Sequence, residues 1–97
     1  MREMIIAEEQ LTLENGTDCL LSYYVVISEV SSDESLILEN YGVKIVMRSV
    51  ERGNECIDEA AAMNITGNAF KIFELACLLS KNNVTPMSLM DVVIDYI

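Results

Sequence analysis

The sequence has no histidine, and this absence excludes several kinds of site. Its 97 residues include neither histidine nor tryptophan, and proline occurs once. Histidine is the commonest metal ligand and the one side chain whose unperturbed pKa lies near neutral pH. Catalysis by a nucleophile with a histidine base is therefore excluded. Because the four glycines are also isolated, no phosphate-binding loop is present, and we expect no catalytic residue, no metal and no cofactor.

The cysteines are few and widely spaced. Cys19, Cys56 and Cys77 are odd in number and include no C-x-x-C pair. This pattern is typical of neither a disulfide framework nor a zinc site. Since each lies among apolar neighbours, we expect three reduced, buried packing residues.

Positive charge is scarce. Six Lys and Arg stand against 16 Asp and Glu, which gives a net charge of -10, although 52% of the residues are hydrophobic. That apolar content excludes disorder. No uncharged stretch approaches the roughly 20 apolar residues that span a bilayer, and Glu8 and Glu9 follow the N-terminus too closely for a signal peptide. We therefore expect a cytoplasmic protein with no membrane or nucleic-acid partner.

The length and the residue pattern predict a single domain, residues 1–97, of the α+β class. β-branched and aromatic residues dominate residues 1–65, whereas helical spacing dominates residues 66–97. Strands joined by short turns favour an antiparallel arrangement. The predicted fold is a four-stranded antiparallel meander followed by two C-terminal helices packed on one face.

The strands are predicted at residues 4–13, 18–30, 36–50 and 55–65. Asn15-Gly16 predicts a type I′ turn between the first two, and polar turns are expected at residues 31–35 and 51–54. A bend is expected at Tyr41-Gly42, since glycine in a strand often marks a bulge. The predicted inward side chains are Cys19, Leu21, Tyr23, Val25 and Ile27; Tyr41, Val43, Ile45 and Met47; and Ile57, Ala61, Met63 and Ile65.

Capping signals predict two helices, at residues 67–81 and 86–97. The first is expected to be capped by Thr66, with Ile65 stapled to Phe70, and to stop at Asn82-Asn83. The second is expected to start with Thr85 as cap and Pro86 at its first position, with Val84 stapled to Leu89.

The chain ends in Val84-Thr85-Pro86-Met87-Ser88-Leu89-Met90-Asp91-Val92-Val93-Ile94-Asp95-Tyr96-Ile97. This ending resembles the C-terminal helix of a family of small Firmicutes proteins of unknown function, with the motif V-x-P-x-x-L-x-D-V-V-x-D. Tyr23-Tyr24 and Tyr41-Gly42-Val43 strengthen the likeness. The resemblance implies a strand meander before two helices, and no activity. The sequence departs from it at Met90 and Ile94, where charged or polar residues are expected.

Carboxylate pairs are the first candidates for chemistry. Asp91 and Asp95 share a helix face, a spacing that suits a hard cation or an acid and base pair, although a solvated face explains them as well. Lys44 or Arg48 of the sheet could instead reach Asp91. Adjacent acids, Glu8-Glu9 and Asp58-Glu59, should point to opposite faces of a sheet and so form no site. The tyrosines Tyr23, Tyr24, Tyr41 and Tyr96 could line a pocket or pack at the rim.

The last helix is the strongest candidate for association. It is apolar on nearly every side, and Met87, Met90, Ile94 and Ile97 are expected to form an exposed interface, most simply in a homodimer. We therefore favour a non-enzymatic interaction or regulatory module. Two alternatives stay open: an acidic mimic or inhibitor of a basic protein surface, which needs the four adjacent acids clustered on one face, and a small carboxylate enzyme.

We predict that the protein does not bind DNA or RNA. Bringing a net charge of -10 to a phosphate backbone opposes association, most strongly at low salt where screening is weakest. A gel-shift titration at about 50 mM salt should leave the nucleic acid free throughout. Salt-sensitive retention of either polymer would contradict this prediction.

Overall fold

The structure, a computed structural model, describes residues 1–31 and 37–96. These residues form one antiparallel sheet, two α-helices and a 3₁₀ turn. The strands lie side by side in chain order. The elements are β1 (Arg2–Thr12), β2 (Asp18–Ser31), β3 (Ile37–Ser49), β4 (Glu55–Thr66), α1 (Ala69–Lys81), the 3₁₀ turn (Pro86–Ser88) and α2 (Leu89–Tyr96). The predicted α+β meander with two C-terminal helices is confirmed, whereas most of the turn expected at residues 31–35 lies outside the described residues.

The core lies between one face of the sheet and the helices. Its buried strand residues are Leu21, Tyr23, Val25, Val43, Ile45 and Ala62, and its buried helix residues are Ile72, Leu75, Ala76, Leu79, Leu89 and Val93. The inward faces predicted for β2 and β3 are therefore confirmed. Period-2 alternation places the remaining strand residues on the opposite face. Because both α-helices pack on the first face, the opposite face has no helical layer among the described residues.

The turn between β1 and β2 differs from the predicted type I′ turn. Gly16 has φ +87°, but Asn15 is not in the left-handed region that a type I′ turn also requires. The N–H of Leu13 donates to the carbonyl of Thr17 at 2.8 Å. The N–H of Gly16 donates to the carbonyl of Leu13 at 2.9 Å. The loop is thus three residues long, a type I turn followed by a left-handed glycine.

The inward face predicted for β4 is wrong, except at Ile65. Ala60 and Ala62 face the core, whereas Ile57 and Met63 are exposed. The register between β3 and β4 shifts twice, once near Ile57 and once opposite Gly42. Each shift changes the alternation, so a continuous period-2 pattern cannot describe this strand. The bend expected at Tyr41-Gly42 is confirmed by the second shift.

Helix α1 begins two residues later than expected. Asn68, not Thr66, is the cap, and its side-chain oxygen accepts the N–H of Lys71 at 3.2 Å. With this start, Ile72 rather than Phe70 takes the fourth helical position and is buried. The staple between Ile65 and Phe70 is therefore wrong, since Phe70 is 88% exposed.

The predicted stop of α1 at Asn82-Asn83 is confirmed. Asn83 has φ +49°. Its N–H donates to the carbonyl of Ser80 at 3.1 Å, while that of Val84 donates to the carbonyl of Leu79 at 3.0 Å, which is a Schellman motif. The following segment differs from prediction because it starts as the 3₁₀ turn, and the Thr85 side chain makes no capping hydrogen bond.

A hydroxyl of the sheet fixes this reversal of the chain. The buried Tyr23 donates its O–H to the carbonyl of Val84 at 3.0 Å. Burial, with a smaller contribution from the charge of Glu9, raises the pKa of Tyr23 from 10.0 to about 12. Nearby, the hydroxyl of Ser80 donates to a carboxylate oxygen of Glu9 at 3.1 Å. These two bonds tie the end of α1 to β2 and β1.

We predict that the free energy of unfolding falls as the pH rises from about 10 to about 12, because the stabilisation that Tyr23 provides is lost over this range. Its pKa in the folded state, about 12, is higher than the ordinary value of 10.0 expected for the unfolded chain. The resulting stabilisation is complete below pH 10 and is lost as the pH rises through 12, because the unfolded chain ionises first. Urea denaturation followed by circular dichroism across this pH range measures the loss.

The variant Tyr23→Phe is the matched control. Phenylalanine keeps the ring but leaves the carbonyl of Val84 without its donor, so we expect it to cost about 1–3 kcal/mol at neutral pH. Between pH 10 and 12 the variant should lose less stability than the wild type. An equal loss in both proteins would assign the effect to another group.

We also predict that Gly42→Ala destabilises the sheet. The added Cβ would overlap the carbonyl oxygen of Ala62 and stand 2.9 Å from the Cα of Met63. Since both are backbone atoms, β4 must move, at a cost of about 1–3 kcal/mol. Denaturant midpoints test this against Gly67→Ala, where the new Cβ would approach only the carbonyl of Glu39 at 3.6 Å. Equal midpoints would contradict the prediction.

Candidate functional site: the outer side of the C-terminal helix

Three apolar side chains lie exposed on the last segment of the described chain. Met87, in the 3₁₀ turn, is 88% exposed, and Met90 and Ile94, in α2, are 51% and 63% exposed. Ile97, the fourth residue predicted here, lies outside the described residues. We call Met87, Met90 and Ile94 the α2 patch.

Helical spacing explains why these residues share one side. Leu89 and Val93 are four residues apart and are buried, so they define the side of α2 that faces the sheet. Met90 and Ile94 each follow one of these residues by about 100° around the helix and point away from the core. The sequence predicted their exposure correctly.

Asp91 and Asp95 lie exposed beside the α2 patch. Lys44 does not reach Asp91, because its side chain lies on the sheet face opposite the helices. There its ammonium contacts a carboxylate oxygen of Glu3 at 3.0 Å and lies 5.9 Å from the centre of the Tyr24 ring. Register places Arg48 on the same face, so the expected contact with Asp91 is wrong. The hydrogen bond that Lys44 donates to Glu3 raises the pKa of Lys44.

The adjacent acids are divided between the two faces of the sheet. Glu8 and Glu59 belong to one row across the strands, which passes through Ser22 and Val46 on the uncovered face. Glu9 and Asp58 belong to the next row, on the helical face. The four carboxylates therefore do not form the single cluster that an acidic mimic requires.

The four tyrosines have separate surroundings. Tyr23 is buried in the core, whereas Tyr24 lies under Lys44 on the uncovered face. The hydroxyl of Tyr41 donates to a carboxylate oxygen of Glu39 at 3.4 Å, and that of Tyr96 donates to the carbonyl of Lys71 at the same distance. These side chains do not converge on a common pocket.

Two of the three cysteine predictions are wrong. Cys19 is buried, but Cys56 and Cys77 are exposed. The register shift near Ile57 and the position of Cys77 on the outer side of α1 account for their exposure. Within residues 1–31 and 37–96, no group of three or more His, Cys, Asp or Glu side chains is close enough to hold a metal ion.

Sequence reasoning missed two further surfaces. On α1, Phe70 is 88% exposed and Phe73 is 37% exposed; the cap at Asn68 was the signal that would have placed them outside. On the uncovered face, a depression of about 370 Å³ is lined by Met1, Glu3, Val26, Lys44, Glu59, Ala60, Ala61 and Met63. Glu3 already pairs with Lys44, so two free carboxylates do not meet there.

These features define a small α+β protein whose one described sheet is covered by helices on a single face. Residues 2–97 match the family of unknown function DUF6514, and the chain belongs to this family. No curated protein and no solved structure matches it. The Firmicutes origin and the C-terminal motif expected from the resemblance stay predictions.

Neither α1 nor α2 is long and apolar enough to cross a bilayer, and this holds for every helix in the described part of the chain.

Proposed function

We propose that the protein is a non-enzymatic association module that forms a homodimer through the α2 patch and serves as a small cytoplasmic regulator or adaptor. The observation that supports this is the exposure of Met87, Met90 and Ile94 together on one side of the C-terminal segment. Contiguous exposed apolar side chains mark contacts with another molecule. A two-fold dimer is the commonest closed way to cover such a surface with the same surface of a second copy.

The size of the α2 patch is consistent with this role. The exposed parts of its three side chains amount to about two whole apolar side chains, whose burial contributes about 3–6 kcal/mol per protomer. Two protomers contribute twice this amount. Association costs about 4–15 kcal/mol in lost motional freedom. The apolar burial of about 6–12 kcal/mol in the dimer is thus of the same order as this cost, and contacts of the surrounding rim add to it.

The alternatives have less support. An acidic mimic needs its charges on one face, whereas the adjacent acids of β1 and β4 are divided between two. A carboxylate enzyme needs two carboxylates in a concave site, but in the depression on the uncovered face Glu3 is engaged by Lys44. Association through exposed apolar residues needs no such convergence.

We predict that Ile94→Glu halves the mass of the assembly. Ile94 is 63% exposed, so the charge does not disturb the fold, yet in the dimer each glutamate would be buried against apolar side chains. Analytical ultracentrifugation at high micromolar concentration measures the mass. An unchanged mass would overturn the proposed interface, as would a wild-type protein that is monomeric at that concentration.

Two variants separate association from folding. Leu78→Glu places the same charge on α1, where Leu78 is 40% exposed, and should leave the mass as in the wild type. Val93→Asp buries a charge at a residue that is 3% exposed and should unfold the domain. Circular dichroism spectra of all three variants show which of them remain folded.

A further inference from the structure

The two edge strands of the sheet differ in how well they are protected against pairing with another strand. Each has one partner among the described residues: β1 pairs with β2, and β4 pairs with β3. β4 carries Glu55, Asp58 and Glu59 without a base, its register shifts twice, and Asn64 is left-handed at φ +54°. Charges and bulges of this kind prevent strand addition.

β1 has weaker protection. Its charges, Arg2, Glu3, Glu8 and Glu9, flank an uncharged central segment, Met4-Ile5-Ile6-Ala7. In this segment Met4 and Ile5 are 46% and 50% exposed. The single irregularity of β1 is the bulge at Ile6, which turns both Ile6 and Ala7 towards the core. An exposed, apolar edge strand accepts a further strand through its unpaired backbone groups.

We propose that β1 pairs antiparallel with β1 of a second copy of this chain, with Ile5 opposite Ile5 of that copy, so that two sheets join into one. This interface is distinct from the α2 patch and does not depend on it. With both interfaces in use, two dimers joined through β1 form a tetramer, and loss of either interface halves its mass. In this register Met4 lies opposite the bulge formed by Ile6 and Ala7, and the apolar segments of the two chains cover each other.

The charges on both faces suit this register. On the helical face, Arg2 lies opposite Glu9 of the second copy, and symmetry makes this contact twice. On the other face, Glu3 lies opposite Glu8, but Lys44 reaches across β2 to within 3.0 Å of Glu3 and supplies the cation between them. Arg2 already pairs with Glu39, yet its side chain is 64% exposed and its guanidinium has further donors.

One exposed aromatic residue of α1, Phe73, supports the same interface. The hydrogen bond from Ser80 to Glu9 shows that this side of α1 overlooks β1. Phe73 is two helical turns from Ser80 and lies within about 20° of it around the helix, on the same side. Joining the sheets edge to edge keeps both α1 helices on one face beside the new seam. A second copy would therefore approach Phe73, which is 37% exposed in the single chain.

Opposite charges introduced at Ile5 test the proposal. In Ile5→Lys, and separately in Ile5→Glu, identical charges would face each other across the seam, so each variant should have half the mass of the wild-type assembly at about 0.15 M salt. Met63→Lys is the matched control on β4, where Met63 is 40% exposed, and it should keep the wild-type mass.

Mixing the two Ile5 variants decides the register. Because Ile5 faces its own copy, lysine from one chain would meet glutamate from the other, and the equimolar mixture should regain the wild-type mass in sedimentation. A mixture that stays at half mass overturns the proposed register, and Ile5→Lys with the same mass as Met63→Lys overturns the interface itself. Neither result affects the α2 patch, which is tested separately by Ile94→Glu.

Discussion

The hydrogen bond between the Tyr23 hydroxyl and the carbonyl of Val84 joins the two layers of the fold. A sheet with one apolar face has to be covered, and here the cover is a short helical segment that reverses direction at Asn83. Tyr23 meets the chain just after this reversal, in the interior of the protein. The bond holds the chain over the sheet just before the 3₁₀ turn and α2.

The fold could be predicted wherever local pattern and tertiary contacts agree. β2 and β3 are central strands, so the alternation from Cys19 to Ile27 correctly predicts which side chains of β2 face the helices. In β4 the alternation failed, because its phase depends on two register shifts. One of them lies where Gly42 meets the backbone of Ala62, a contact between residues far apart in sequence. Local pattern contains no information about such a contact.

The candidate surfaces show the same limit. Exposure of Met90 and Ile94 follows from their spacing to Leu89 and Val93, so the helix alone was sufficient to predict it. Predicting the exposure of Phe70 required choosing Asn68 rather than Thr66 as the cap of α1. Sequence alone does not decide between them, because both residue types are good caps. The edge position of β1 follows from the predicted meander, whereas the bulge at Ile6, which sets the side chains that β1 exposes, could not be predicted from its residues.

The distribution of the remaining apolar surface favours association at the perimeter of the sheet. On the uncovered face Val26 and Val46 are only 2% and 3% exposed, although no helix covers them. Neighbouring side chains, such as the Lys44 that extends across Tyr24 to Glu3, shield this face within the single chain. Exposed apolar groups lie along α2, α1 and the β1 edge, and also at Leu38, Val50, Ile57 and Met63. A net charge of -10 opposes contact between copies, but the repulsion is screened over about 8 Å at physiological salt, whereas apolar burial acts at contact. In the proposed assembly, copies therefore meet along these borders, where apolar burial acts against the repulsion.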